Sequence, residues 1–100
     1  MKYNKLVRDK IPEYIKSRGG KPVTHIATNE EYWRKLREKL QEEVNEFLEA
    51  ESPQEIADIY EVLDAMCDWK QFDRNHVQEI KRTKFEERGG FQNRIILDES

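Results

Sequence analysis

Residues 33–69 decide the fold, and they read WRKLREKLQEEVNEFLEAESPQEIADIYEVLDAMCDW. Apolar side chains recur every three or four residues on both sides of the pair Ser52-Pro53. This spacing predicts two amphipathic helices, with Ser52 as the N-cap of the second and Pro53 at its first helical position. Because the break between them is short, the two helices should be antiparallel neighbours. The stretch therefore predicts a helical hairpin.

One further helix is expected on each side of this hairpin. The hairpin's own first helix should begin near Thr28, which fits a capping box. Residues 5–18 show helical spacing before a Gly-Gly pair, but Pro12 lies inside them, so this helix either starts near Pro12 or kinks there. Residues 75–88 form the fourth helix, which a second Gly-Gly pair ends. The prediction is an all-α, four-helix bundle-like fold.

Length and composition fit one small domain over residues 1–100. The chain has 100 residues, of which 36% are hydrophobic and 39% charged. A chain of this size has a thin core, so we expect oligomerisation to complete the bundle. The short apolar run Ile95-Ile96-Leu97 in the tail should pack on the bundle or on a partner. The lone Cys67 excludes an internal disulfide. Without an apolar run long enough to span a bilayer, we expect no membrane partner and a cytoplasmic protein.

Charge is distributed unevenly along the chain. Residues 38–68 carry a net charge of −10, residues 1–37 carry +6 and residues 69–100 carry +1. One interpretation is a pair of solvated, charged helices. The other is a metal site with basic flanks that attract an anionic substrate. The acidic centre and the net charge of −3 argue against nucleic-acid binding through the basic first third.

Helical geometry separates four of the central acids from the rest. At about 100° per residue from Trp33, Glu43 falls near 280°, beside the apolar face, and Glu46 follows near 220°. Glu42 falls near 180°, opposite that face, which suggests an outer position or a supporting role behind the metal ligands. On the next helix, Glu55 and Asp58 point into an otherwise apolar arc.

Four converging carboxylates are unfavourable unless cations neutralise them, and ligand sets of oxygen alone favour hard ions such as Mg²⁺. Glu55 also fits a capping box with Ser52, and the two roles can coexist. Acids three apart, such as Glu43 and Glu46, are common on charged helices, so the full set of four is more specific than any member.

These acids belong to a recognisable pattern. Residues 42–46 read EEVNE and residues 55–58 read EIAD. Together they resemble the E-E-x-x-E…E-x-x-D signature of the all-α nucleoside triphosphate pyrophosphohydrolases of the MazG type. Residues 3–12, YNKLVRDKIP, and residues 84–91, KFEERGGF, resemble the opening and the close of a short branch of that family, often described as phosphoribosyl-ATP pyrophosphohydrolase-like.

The resemblance implies a MazG-type fold, dimers or tetramers with sites between subunits, and a role for individual residues. The implied Mg²⁺ ligands, with Mn²⁺ as an alternative ion, are Glu43, Glu46, Glu55 and Asp58. Glu46, with Glu43 beside it, is the expected catalytic proton acceptor. The implied ligands of the substrate phosphates are Lys84 and Arg88, followed by Lys5, Arg8 and Lys10.

The expected reaction is hydrolysis of a nucleoside triphosphate, or of a related nucleotide such as phosphoribosyl-ATP, to a monophosphate and pyrophosphate. Trp33, Tyr60 and Trp69 are candidates to stack on a base, but core packing explains them better. The competing hypothesis is a non-catalytic helical protein-interaction module, whose acids only solvate its surface.

Overall fold

The computed structural model describes residues 3–100 and contains only helices as regular secondary structure in that range. In chain order these are α1 (Ile11–Ser17), α2 (Asn29–Ala50), α3 (Pro53–Lys70) and α4 (Arg74–Arg88). The all-α prediction with four helices is therefore confirmed. The run 23–26, which has strand-like residues, is neither helix nor strand and is exposed.

The helix boundaries follow the local capping signals. The Thr28 hydroxyl accepts the N–H of Glu31 at 3.2 Å and begins α2, as the capping box predicts. Ser52 precedes α3 and Pro53 begins it, but Ser52 makes no side-chain bond to the helix backbone. Asp73 accepts the N–H of Asn75 at 2.9 Å and begins α4.

The first helix is shorter than residues 5–18, the span with helical spacing in the sequence. Residues 3–10 are not helical, and α1 begins at Ile11 with Pro12 in its first turn. Proline has no N–H to donate, which is tolerated only in the first turn of a helix, so the helix begins at Ile11 with Pro12 in that turn and does not extend back to residue 5. The non-helical residues 3–10 can therefore lie along the surface of another helix.

Helices α2 and α3 form the one extensive helix–helix interface in the described range. Leu36 of α2 is 1% exposed, and Val62 of α3 is also buried. Tyr32 and Trp69 meet edge to face with their ring centroids 5.3 Å apart. This hairpin is the rigid frame that carries the acidic residues.

The chain is open in shape. Its radius of gyration is 17.9 Å, whereas a compact domain of this length has about 13 Å. Its accessible surface is 9569 Å², against about 6000 Å² for a compact monomer of 12.1 kDa. Every residue of α4 and of the segment after it is exposed. A single chain thus leaves much of its apolar surface uncovered.

Candidate metal centre

Three carboxylates of α2 meet at one place on the hairpin. Glu42, Glu43 and Glu46 each offer an oxygen, and these oxygens lie within 4.8 Å of one another. Spacings of three and four residues put them on neighbouring turns of the helix, which explains the approach. We call these three residues the acidic cluster.

Glu43 is the buried member of the acidic cluster. It is 5% exposed, and no group within residues 3–100 forms a hydrogen bond to its Oε2 atom. Its Oε1 atom lies 3.1 Å from the Nζ of Lys39, one turn earlier on α2. A buried carboxylate oxygen without a partner is unfavourable and rare in folded proteins. Glu43 Oε2 is therefore a buried acceptor that either a proton shared with Glu46 or a cation would satisfy.

Glu46 has an unusual environment although its side chain is exposed. Desolvation, the negative charge of Glu43, a side-chain hydrogen bond with Glu43 and the charge of Glu42 raise the pKa of Glu46 above its usual value, and Lys39 opposes the shift. A raised pKa makes a carboxylate a better proton acceptor near neutral pH.

Glu42, which its helical angle places opposite the apolar face, is partly covered by the segment before α1. The extended segment before α1 lies along this flank of α2, where Lys35 donates a hydrogen bond to the backbone oxygen of Asn4 at 2.7 Å. Lys5 reaches Glu42 at 3.3 Å. Glu42 is therefore half-buried and joins the acidic cluster. The angular position on a single helix cannot reveal a distant segment that covers it.

Glu55 and Asp58 do not join the close group of oxygens. The Ser52 hydroxyl donates to Glu55 Oε2 at 2.7 Å, so the two residues pair through their side chains instead of forming the full capping box. Asp58 Oδ1 accepts a hydrogen bond from Arg8 at 2.8 Å. Both acids are half-buried on α3. Each thus has a polar partner in the metal-free chain.

The predicted phosphate ligands fall into two groups. Lys5 and Arg8 lie at the acids, because Lys5 pairs with Glu42 and Arg8 pairs with Asp58. Lys84 and Arg88 lie on exposed α4, and within the described range neither forms an ion pair. Lys10 is exposed beside α1 and likewise has no ion pair in that range. The single chain therefore brings together cations from the first segment, and α4 presents its cations to solvent.

One residue of the site was not predicted from the sequence, the lysine that pairs with the acidic cluster. Lys39 contacts both Glu43 and Glu42, at 3.1 Å and 3.6 Å. Its position four residues before Glu43 is the signal that could have identified it, since residues at that spacing are neighbours on a helix. Lys39 acts as the counter-ion of the acidic cluster in the metal-free chain.

The donor set fits a hard divalent cation. The clustered ligand atoms are all carboxylate oxygens, which Mg²⁺ and Mn²⁺ prefer over nitrogen or sulfur sites. The free Oε2 of Glu43 supplies a buried donor, and Glu42 and Glu46 supply accessible ones. The cluster can thus hold one cation through a few carboxylates and leave other positions to water or phosphate, as Mg²⁺ sites commonly do.

Comparison with known proteins finds sequence similarity over about half of the chain. The chain is 47% identical over 47 residues to a protein of Mycolicibacterium smegmatis (strain ATCC 700084 / mc(2)155) described as uncharacterized. The match covers 47% of this chain and 48% of that protein. No family model matches the chain, and no solved structure matches it. No helix in the described range is both long and apolar enough to cross a membrane.

Proposed function

We propose that the chain is a Mg²⁺-dependent nucleotide pyrophosphohydrolase. Its substrate would be a nucleoside triphosphate or a related nucleotide, cleaved between the α- and β-phosphates. The observation that carries the proposal is the acidic cluster, in which buried Glu43 holds an oxygen with no partner. The resemblance of residues 42–46 and 55–58 to the MazG-type signature agrees with the same reaction.

The carboxylates would hold the cation and handle the proton. Glu43, with Glu42 and Glu46 beside it, would bind the metal, and Glu55 and Asp58 on the facing helix would complete the site. A bound Mg²⁺ supplies charge neutralisation for a triphosphate and lowers the pKa of a bound water. Glu46, the exposed member of the acidic cluster, would take the proton of the attacking water.

The cations would hold the phosphates. Lys5 and Arg8 already lie beside the acids, so release from Glu42 and Asp58 would turn them toward an anionic substrate. Lys84 and Arg88 would stabilise the charge that develops on the leaving pyrophosphate. Because α4 does not pack extensively on the hairpin of its own chain, these two residues would act on the site of another copy.

The assembly would be a homodimer or homotetramer. The excess of accessible surface over that of a compact monomer is about 3500 Å². A stable interface of standard size buries about 800 Å² on each partner, so one chain has surface for more than one such contact. Light scattering coupled to size-exclusion chromatography measures this directly, and a monomer at high protein concentration would contradict it.

The decisive experiment measures pyrophosphate release from a panel of nucleoside triphosphates and phosphoribosyl-ATP, with Mg²⁺ or with a chelator. We expect release only with the metal, and its loss in Glu43→Gln and Asp58→Asn. The matched control is Glu49→Gln, the same type of change at an exposed acid of α2. Full activity of Glu43→Gln would show that the site is wrongly assigned.

The uncovered apolar surface favours a second candidate, a non-catalytic module that binds other proteins through its helices. Side chains such as Leu48, Tyr60 and Phe85 are more than 60% exposed. On this alternative, the chain would hydrolyse no nucleotide of the panel, and Glu43→Gln would not change Mg²⁺ binding measured by calorimetry.

A further inference from the structure

A groove lies along the hairpin at a place separate from the acidic cluster. Trp33, Leu40 and Val44 of α2 and Met66 of α3 form its apolar floor, and its cavity volume is about 560 Å³. Arg34, Arg37, Glu38 and Gln41 form its rim; Arg34 lies 3.8 Å from Glu38, whereas Arg37 forms no ion pair within residues 3–100. No member of the acidic cluster lines it. All four floor residues remain partly exposed, so the groove has room for an apolar occupant.

The segment that follows α4 has the complementary character. Ile95, Ile96 and Leu97 are 80%, 79% and 78% exposed, and they form no regular secondary structure. Two acids, Asp98 and Glu99, come directly after them. Three consecutive large apolar residues at this exposure are unfavourable in water, because each would gain by burial. We call residues 95–99 the tail.

We propose that the tail of a second copy of this chain docks in the groove. Ile95, Ile96 and Leu97 would cover the apolar floor, and Asp98 and Glu99 would face Arg37, the rim arginine without an acidic partner in the described range. The groove thus supplies an apolar floor for the apolar run and one arginine for the acids. This charge complementarity would set which end of the tail lies near Arg37.

The occupant is a second copy because the chain's own tail lies elsewhere. Residues 89–95 curl around Phe85 at the end of α4, where they form a separate small cavity. Within residues 3–100, helix α4 does not pack extensively on α2 or α3, and no residue of the tail lines the groove. The excess surface of about 3500 Å² also calls for burial against another molecule. This docking does not depend on the proposed hydrolysis.

The experiment uses Trp33 as a reporter of the groove. The chain has two tryptophans, so Trp69→Phe leaves Trp33 alone and keeps an aromatic ring against Tyr32. Quenching of Trp33 fluorescence by acrylamide is then measured over a range of protein concentrations, without nucleotide or metal. We expect Trp33 to become shielded as the protein concentration rises, because docking joins two chains.

Two variants in this background make the test specific. Ile96→Asp places a charge on the groove floor and should raise the concentration needed for shielding about tenfold or more. Val23→Asp is the matched control, since Val23 is 98% exposed and lies outside the tail. It should leave the shielding curve unchanged. Arg37→Glu should weaken shielding several-fold, and mixing it with a Glu99→Lys chain should restore part of the loss.

Three results would overturn the proposal. Shielding that is independent of protein concentration but lost in Ile96→Asp would mean that the chain's own tail fills the groove. Shielding that Ile96→Asp does not change would mean that another surface covers Trp33. Quenching that stays high at every concentration would mean that nothing docks there. Since no readout involves hydrolysis, each result leaves the pyrophosphate-release test independent.

Discussion

Replacing Lys39 with methionine tests the description of the acidic cluster most directly. Lys39 Nζ lies 3.1 Å from Glu43 Oε1, and the two side chains are only 19% and 7% exposed. At an effective dielectric constant of about 20, Coulomb's law gives about 5 kcal/mol of attraction at that distance. Methionine is similar in length but has no charge. The variant therefore leaves the Glu43 carboxylate buried without a counter-ion.

The expected cost in metal-free solution is about 3–5 kcal/mol of unfolding free energy, the range for breaking one side of a buried ion pair. Urea unfolding at neutral pH, with a chelator and at fixed protein concentration, measures it. Added Mg²⁺ should narrow the difference between Lys39→Met and the parent chain, because the metal replaces the missing cation. A ligand at one hundred times its dissociation constant stabilises a folded protein by about 2.7 kcal/mol. Mg²⁺ at that concentration should therefore restore up to about this much of the unfolding free energy lost in Lys39→Met.

Lys35→Met is the matched control for this measurement. Lys35 is similarly covered and lies one turn earlier, but its acidic partner, Glu38, is exposed. Its loss should cost about 1 kcal/mol, mainly through the hydrogen bond to the Asn4 carbonyl, and Mg²⁺ should not change that cost. If Lys39→Met costs less than about 1 kcal/mol, as an exposed pair would, or if Mg²⁺ does not reduce the cost, Glu43 is not the site described.

Three further predictions address the core and the titrating groups. Leu36→Ala should lower the unfolding free energy by about 2–5 kcal/mol in urea titrations, because it empties the best-packed position between α2 and α3; a smaller loss would mean that the hairpin is not the stable core. Glu46→Gln should weaken Mg²⁺ binding in calorimetry yet stabilise the metal-free chain near neutral pH. The sign follows from the raised pKa of Glu46. The free energy of unfolding is highest below the ordinary pKa of a glutamate and falls as pH rises through the raised pKa, where Glu46 becomes charged. Glutamine stays neutral and avoids this loss. His25, 3.0 Å from Glu31, lowers the pKa of Glu31 from its ordinary 4.5 mainly by hydrogen bonding, so its contribution is present above that value and lost as pH falls through the lowered one. His25→Asn should therefore destabilise the chain near neutral pH, and the difference should disappear in acid; a pH-independent difference would contradict this.

The hairpin could be predicted because its signals are local. The apolar spacing of residues 33–69 defines two helices, and Ser52-Pro53 marks where one ends and the next begins. Pro12 inside residues 5–18 left two possibilities for α1, a start near it or a kink there, and the helix starts beside it, at Ile11. The angular argument also placed Glu43 correctly at the edge of the packed face, where it is buried.

Contacts between distant parts of the chain could not be predicted in the same way. Glu42 looked solvent-facing on the helix, but Lys5 and the segment around it cover that flank. Asp58 seemed to need a cation at the core, and Arg8, fifty residues away in sequence, provides one at its edge. Periodicity reports which side of a helix is apolar, and it carries no information about which remote segment will lie on the other sides.

The first segment also joins the two helices of the hairpin. Lys5 pairs with Glu42 of α2 and Arg8 pairs with Asp58 of α3, so residues 5–8 bridge both helices. Each contact is a surface ion pair, worth about 0–1 kcal/mol and screened by salt. On the proposed function, substrate entry would be an exchange of partners. The divalent cation would replace Lys5 and Arg8 on the carboxylates, and the freed side chains would bind the phosphate.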